Sequence, residues 1–170
     1  NTQNGIDISH YKYNHKGGKG KAKHILQTPM PKVYGSGFES ESEASIHYSS
    51  ITNKQITDEH GTIAAFIAEP IVGCGGQVPL AANYLKEVYT KIRDQGGVCI
   101  SDEVQVGFGR LGSHFWGYEM YGVVPDMVIL GKPIGNGHPI GAVVTTSEIA
   151  KSFDNGMEFF SSFGGNPVSC

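Results

Sequence analysis

The sequence predicts an α/β fold, with a mostly parallel β-sheet and helices on both faces. Four short apolar segments, 63–68, 98–102, 127–130 and 142–146, have the length and composition of strands. A segment with helical periodicity separates the first two, and a crossover of that length joins parallel neighbours of one sheet. Because such sheets bind ligands beyond the carboxyl ends of their strands, we expect a binding site at that edge.

Length and composition narrow the class of protein. The 170 residues can form one domain with a real core, and no apolar run approaches the roughly 18 residues of a membrane span. We therefore expect a soluble protein without a membrane partner. The net charge of -3 is too small to indicate a nucleic-acid partner. Three widely spaced cysteines without a C-x-x-C pair favour a reducing compartment, the cytoplasm.

The first third of the chain differs from the rest. Residues 10–62 are polar and show no sustained periodicity, so we interpret them as long loops with little core of their own. The predicted division is a loop-rich polar segment, 1–62, followed by a core, 63–170. Because the chain opens at Asn1 without a methionine or a signal segment, we expect it to be a piece of a longer polypeptide.

The predicted core elements follow one another in a regular order. The apolar run 63–68 predicts a strand that is covered on both faces and ends at Glu69-Pro70. Helical spacing of apolar residues predicts an amphipathic helix over 81–95, with Gly96-Gly97 as its stop. Two further buried strands and a fourth strand are predicted at 98–102, 127–130 and 142–146.

Charged residues lie at the ends of three of these strands: Glu69, Asp102 and Lys132. A charge that is buried without a partner costs several kcal/mol, so three charges at one sheet edge indicate a shared pocket. Taken singly, the two acids can also be helix caps and the lysine a solvated loop residue. Lys132 lies in the turn 131–139, where glycines and two prolines can aim its amine. An unprotonated lysine in such a place can form a Schiff base with an aldehyde.

Four motifs, in this order, resemble those of the class III aminotransferases, which are pyridoxal-phosphate enzymes of fold type I. They are Ala68-Glu69-Pro70 with Gly75-Gly76, the run from Ser101 to Arg110, Gly131-Lys132 with its Gly-Asn-Gly turn, and Phe163-Gly164-Gly165-Asn166-Pro167. The Lys132 turn and residues 163–170 are most similar to the ethanolamine-phosphate phospho-lyase and alanine-glyoxylate-aminotransferase-like subgroup. The resemblance implies that 63–170 is the core of the large, cofactor-binding domain.

The resemblance also implies roles for individual residues. Lys132 would bind pyridoxal phosphate as a Schiff base and later move the proton at the substrate's Cα. Asp102 would pair with the pyridine nitrogen and keep it protonated. Val104 would pack on one face of the ring, and Gln105 would hydrogen-bond toward the ring's phenolic oxygen.

Two further residues would act at the borders of the site. Glu69 would lie near the substrate carboxylate. Ser162, directly before the Phe-Gly-Gly-Asn-Pro motif, would reach the cofactor phosphate of a neighbouring subunit in a homodimer. The family's phosphate-binding turn precedes Asn1 and its small carboxyl-terminal domain follows Cys170, so the resemblance assigns the activity to a longer parent protein.

The reaction itself is open between two family members. Transamination between an amine or amino acid and a keto acid comes first, because it is the commoner family activity. The alternative is phosphate elimination from ethanolamine phosphate or a related phosphorylated amine. Both reactions use the same cofactor-binding residues and diverge only after the proton has left Cα.

Two other classes of protein deserve comparison. The segment Gly107-Phe108-Gly109-Arg110-Leu111-Gly112 satisfies the G-x-G-x-x-G pattern of an NAD(P)-binding dehydrogenase, but no helix pattern follows it at once. The lysine-rich stretch 12–32 could mark a non-enzymatic RNA-binding module, although it lacks interleaved aromatics. The seven histidines show no metal-ligand spacing, so we predict no metal site.

Overall fold

The computed structural model describes residues 2–58 and 62–170. Its helices are α1 (Gln3–Asp7), α2 (His10–Tyr13), α3 (Glu41–Asp58), α4 (Tyr84–Asp94) and α5 (Ser147–Phe153), with 3₁₀ helices at Gly117–Tyr121 and Lys132–Gly135. Its strands are β1 (Ala65–Ala68), β2 (Ile71–Val72), β3 (Val78–Pro79), β4 (Val98–Asp102), β5 (Met127–Leu130) and β6 (Ala142–Thr145).

The principal sheet is mostly parallel, as the sequence predicts. Its strand order is β1-β4-β5-β6, and β1, β4 and β5 run parallel, whereas β6 returns antiparallel to β5. β4 and β5 match their predicted bounds. β6 stops one residue early because Thr146 caps α5, where its hydroxyl accepts a hydrogen bond from the backbone N–H of Ile149 at 3.3 Å. β2 and β3 form a separate small hairpin.

The core lies between the sheet and α4. This helix packs against β1 and β4 and buries the apolar positions that the sequence pattern predicts, namely Tyr84, Leu85, Val88, Tyr89 and Ile92. The predicted helix is therefore confirmed, but it begins at Tyr84 and not at residue 81. Asn83 has a φ of 64°, a left-handed conformation that a right-handed helix cannot include.

The interpretation of residues 10–62 as loops is wrong for the short helix α2 and for α3, an 18-residue helix that packs on α4. Its buried face consists of small and hydroxyl-bearing residues with a single large apolar one: Ala44, Ser45, Ser49, Thr52 and Ile56. Thr52 shows how such a face is stabilised, because its hydroxyl hydrogen-bonds the phenol of Tyr84 at 3.0 Å. A hydrophobicity pattern cannot detect a helix whose buried residues are polar.

The prediction that the first strand is covered on both faces is also wrong. β1 begins at Ala65 and lies at the edge of the sheet, where Phe66 and Ala68 face the core under α4. Ile67 points to the opposite face and is 38% exposed. Within the described ranges, no helix combines the length and the hydrophobicity that a membrane crossing requires.

Candidate functional site

Three neighbouring strands end at one edge of the sheet, and the predicted site residues lie at or directly beyond these strand ends. In the parallel register, Ala68 pairs with Ser101, and Asp102 pairs with Ile129. Glu69, the residue after β1, therefore lies level with Asp102, the last residue of β4. Lys132 follows β5 after a single glycine. The sheet thus brings Glu69, Asp102 and Lys132 to its carboxyl edge, where α/β proteins bind ligands.

Asp102 is half-buried, and its carboxylate is held by a hydrogen bond to the backbone two residues further along the chain. One carboxylate oxygen, Oδ1, accepts a hydrogen bond from the backbone N–H of Val104 at 3.1 Å. This local bond resembles the helix-cap role that the sequence left open, although no helix begins here. Within residues 2–58 and 62–170, Oδ2 forms no hydrogen bond. One oxygen therefore fixes the side chain, and the other remains free to accept from a ligand.

Val104 joins the end of β4 to the end of β5. A Cβ atom built on Gly131 would lie 3.1 and 3.2 Å from the two methyl carbons of Val104. The isopropyl group therefore packs directly against the backbone that precedes Lys132. A side chain at position 131 would displace Val104 by a few tenths of an ångström, so the glycine allows this close contact.

Glu69 and Gln105 both lie close to Gly73. The Glu69 carboxylate accepts a hydrogen bond from the backbone N–H of Gly73 at 2.9 Å. A Cβ atom on Gly73 would approach Glu69 Oε2 to 3.1 Å and Gln105 Cγ to 3.2 Å. The glycine lets the end of β1 and the turn after β4 meet, so these two predicted site residues belong to one cluster.

Lys132 is exposed and opens the 3₁₀ helix that ends at Gly135. The turn closes through Ile134, whose N–H bonds the carbonyl of Gly131 at 2.9 Å, and leaves through left-handed Asn136 (φ 46°) and Gly137 (φ 98°). Among the described residues, the lysine amine forms no ion pair. The backbone is therefore restrained while the amine stays available.

Ser162 is not brought to this edge by the contacts of the described chain. It lies in the exposed segment that follows α5, beside Phe160 and Phe163, whose side chains are more than four-fifths exposed. The hydrogen bonds of this segment are local, such as the one from Gly164 N–H to Ser161 Oγ at 3.0 Å. Its predicted role toward a neighbouring subunit stays a prediction.

The sequence interpretation missed Glu103, whose side chain is 0% exposed. Its carboxylate accepts hydrogen bonds from the Ser101 hydroxyl at 3.0 Å and from the backbone N–H groups of Gly117 and Tyr118 at 2.8 and 3.0 Å. A detectable signal was present, because strict alternation along β4 puts Glu103 on the same side as Ser101 and opposite Asp102. A carboxylate that is buried on the core side of a strand needs hydrogen-bond donors around it.

The competing G-x-G-x-x-G interpretation lacks the geometry that it needs. After β4, residues 107–112 form successive turns, with positive φ at Phe108, Gly109 and Gly112, and no helix starts at residue 113. A dinucleotide fold places pyrophosphate on a helix that begins within this motif. The aromatic rings of Phe108, Phe115 and Trp116 instead pack edge-to-face and close the loop on itself.

The two largest pKa shifts belong to side chains of the core. Burial raises the pKa of the Cys99 thiol to about 12 and also raises that of the Tyr89 phenol. Both side chains lie in the cluster under α4. Both shifts therefore bear on the stability of the fold.

Comparison with known proteins gives one consistent family. The model of that family, aminotransferase class-III, matches residues 2–170. An alanine–glyoxylate aminotransferase 2-like protein of Drosophila melanogaster is 47% identical, covering 99% of this chain and 36% of the fly protein. An ethanolamine-phosphate phospho-lyase homolog of Caenorhabditis elegans is 36% identical, covering 97% of this chain and 38% of the worm protein.

A solved structure has the same fold over nearly the whole chain. It is a phospholyase from Arthrobacter in complex with phosphoethanolamine, and it superimposes with a TM-score of 0.86 at 37% identity. The aligned region covers 99% of this chain and 40% of the Arthrobacter chain. The chain thus spans well under half the length of the relatives that it matches.

Proposed function

This chain belongs to the class III aminotransferase family, whose enzymes depend on pyridoxal phosphate, and we propose that residues 63–170 form the core of the cofactor-binding domain of such an enzyme. The observation that carries the proposal is the common carboxyl edge of β1, β4 and β5, where Glu69 follows β1, Asp102 is the last residue of β4 and Lys132 follows β5 after one glycine. The substrates would be an amine or amino acid and a keto acid.

The groups at this edge suit pyridoxal phosphate. Within the described part of the chain, the Lys132 amine has no ion pair and one Asp102 oxygen has no hydrogen bond, so these groups suit the aldehyde and the ring nitrogen. The Gln105 amide suits the phenolic oxygen, and the Val104 side chain suits one face of the ring. When bound, the cofactor supplies an aldehyde that captures the substrate amine and a ring that withdraws electrons from Cα. The chain's own residues would supply attachment, orientation and proton transfer.

Each residue would then have one task. Lys132 would hold the cofactor covalently until the substrate amine displaces it. The free lysine amine would then remove the proton from the substrate's Cα and carry it to the next position of the reaction. Asp102 would hold a proton on the ring nitrogen, Val104 would support one ring face, and Gln105 would donate to the phenolic oxygen. Glu69 would border the substrate side.

The proposed assembly is a homodimer. The support is the exposed segment around Ser162, where Phe160 and Phe163 would need a covering surface. Ser162 would then reach the phosphate held by the neighbouring subunit. A homodimer also brings together residues that the described contacts of a single chain leave apart.

Phosphate elimination is the second candidate reaction. It is favoured by the 0.86 TM-score to the Arthrobacter phospholyase and by the similarity to the Caenorhabditis elegans homolog. Transamination ranks first because the relative that is 47% identical is named an aminotransferase and because the edge residues contact the cofactor and not the far end of the substrate.

Attachment to Lys132 is tested on the complete protein loaded with pyridoxal phosphate. Reduction with borohydride makes the linkage permanent, and peptide mapping should find the label on Lys132. Lys151, an exposed lysine on α5, is the internal comparison. Label on Lys151 or on any other lysine contradicts the assignment.

The reaction is tested by adding phosphoethanolamine without any keto acid. We expect no turnover until a keto acid is supplied, after which the amino group should appear on the acceptor. Release of inorganic phosphate and acetaldehyde in the absence of a keto acid would reverse the order of the two candidates.

A further inference from the structure

Glu103 lies between two proposed cofactor-binding residues, yet its side chain points away from them. β4 alternates, with Cys99 and Ser101 buried on the side of α4 and Asp102 directed to the other side. Glu103 continues the buried side, whereas Asp102 and Val104 flank it at the open edge. A fully buried acid beside the site has no task in the proposed reaction, so its position needs another explanation.

All three partners of the Glu103 side chain donate hydrogen bonds. The Ser101 hydroxyl and the Tyr118 N–H donate to Oε1, each at 3.0 Å, and the Gly117 N–H donates to Oε2 at 2.8 Å. In the described part of the chain, no lysine or arginine forms an ion pair with it. A carboxylate accepts at both oxygens, whereas an amide of the same shape would present an N–H group to one of these donors.

The backbone of Glu103 is fixed as firmly as its side chain. Its N–H donates to the carbonyl of Ile129 in β5 at 3.0 Å, and its carbonyl accepts from the N–H of Gly107 at 3.0 Å. A Cβ atom on Gly107 would lie 3.1 Å from that carbonyl oxygen and 3.2 Å from Glu103 Cβ, so the turn packs closely around this residue. Glu103 therefore links β4, β5, the turn that carries Gln105 and the 3₁₀ helix Gly117–Tyr121.

We propose that Glu103 is a positioning residue that fixes the direction in which Asp102 and Val104 face the cofactor ring. The hydrogen bond from Val104 N–H to Asp102 Oδ1 spans the backbone of Glu103, so the two peptide units of Glu103 set its geometry. When the carboxylate loses its donors, these peptide units can rotate and carry both neighbours with them. This inference rests on the proposed function, because it needs a cofactor at the edge.

Glu119 provides a matched control. Its carboxylate also anchors the start of the same 3₁₀ helix, where it accepts from the N–H of Trp116 at 2.9 Å, but it is exposed and lies away from the strand end. If anchoring the helix were the whole task of Glu103, both acids would share it. Of these two acids, only Glu103 is the chain neighbour of Asp102, so only its loss should disturb the cofactor side of the edge.

The experiment compares Glu103→Gln with Glu119→Gln in the complete protein. For Glu103→Gln we expect the pyridoxal phosphate dissociation constant, from titration of apo-protein, to rise about 10- to 100-fold, the range found when residues that orient metal ligands are removed. The pH at which the bound cofactor changes its visible absorbance should shift, and kcat should fall about 10- to 100-fold with little change in KM. Glu119→Gln should match the wild type in all of these.

Several results would overturn the inference. A Glu103→Gln protein that melts earlier but keeps the wild-type dissociation constant and spectral pH transition would assign a structural role alone. Equal effects in both variants would assign the task to the helix. If Glu103→Gln does not fold, Ser101→Ala removes one donor to the same carboxylate, and a wild-type dissociation constant and spectrum in that variant would also refute the inference. Failure of the wild-type protein to bind pyridoxal phosphate would instead refute the proposed function.

Discussion

Replacement of Asp102 by asparagine separates the charge of this residue from its part in the turn. The two side chains are nearly equal in size, and the asparagine oxygen can still accept the 3.1 Å hydrogen bond from the N–H of Val104. The strand end should therefore keep its shape. We expect Asp102→Asn to fold with little change in melting temperature.

The variant loses a negative charge beside the proposed ring nitrogen. An opposite charge within about 4 to 6 Å changes a pKa by about 1 to 3 units. Each unit corresponds to about 1.4 kcal/mol, so the loss costs about 1.4 to 4 kcal/mol. If that free energy is expressed in the transition state, kcat should fall by about 10- to 1000-fold.

The assay measures turnover per bound cofactor in the complete protein, with the bound fraction determined from visible absorbance. Asp126→Asn is the matched control, because Asp126 accepts from Arg93 Nη2 at 3.0 Å and from the N–H of Cys99 at 2.7 Å, remote from the edge. It should lower the melting temperature and leave turnover per bound cofactor unchanged. Normal turnover by Asp102→Asn would refute the electrostatic argument.

Two further predictions concern stability. The neutral Cys99 thiol is favoured in the fold, where its pKa is about 12 against an ordinary value of 9.0, so the unfolded chain loses its proton first and stability should fall as pH rises from 9 towards 12. Melting temperatures at pH 8 and pH 10.5 check this, and Cys99→Ala should flatten the decrease; an equal slope in that variant would assign it to other groups. Leu85→Ala, at a 1% exposed position of α4, should lower the free energy of unfolding by about 2 to 5 kcal/mol, whereas Lys86→Ala on the exposed face should change it by under about 0.5 kcal/mol. Denaturant titration distinguishes the two, and equal losses would contradict the observed burial.

The sequence predicted those elements whose burial depends on large apolar side chains. β4, β5 and α4 combine such residues with clear stops, and Gly96 ends α4 with a φ of 79°. The sequence pattern did not predict α3, because its buried face includes Ser49 and Thr52 and is joined to α4 by a hydrogen bond between the Thr52 hydroxyl and the Tyr84 phenol. Its sequence pattern is that of a solvated segment, and tertiary packing alone reveals the buried face.

The sequence predicts those parts of the candidate site that depend on where the strands end. Once β1, β4 and β5 are parallel neighbours, the residues at their carboxyl ends must share an edge, so the grouping of Glu69, Asp102 and Lys132 follows from the order and length of the strands. The close approaches at Gly73 and Gly131 could not be predicted, because they depend on which side chains fill the space beside a glycine. Alternation along β4 indicates that Glu103 needs donors, but it does not identify them, because two of the three lie 14 and 15 residues away.

The support for this edge extends from β4 to β1 through one glycine. A Cβ atom on Gly117 would lie 2.7 Å from Val106 Cγ2 and 2.8 Å from Pro70 Cβ, so the 3₁₀ helix that Glu103 anchors is pressed against the residue following Glu69. The same helix ends at Tyr121, whose hydroxyl donates to the Pro70 carbonyl at 2.7 Å. The same 3₁₀ helix therefore supports both Glu69, through Pro70, and Asp102, through Glu103. Because a displacement of about 1 Å can cost about 100-fold in rate, a rigid layer behind an open edge is what the proposed chemistry requires.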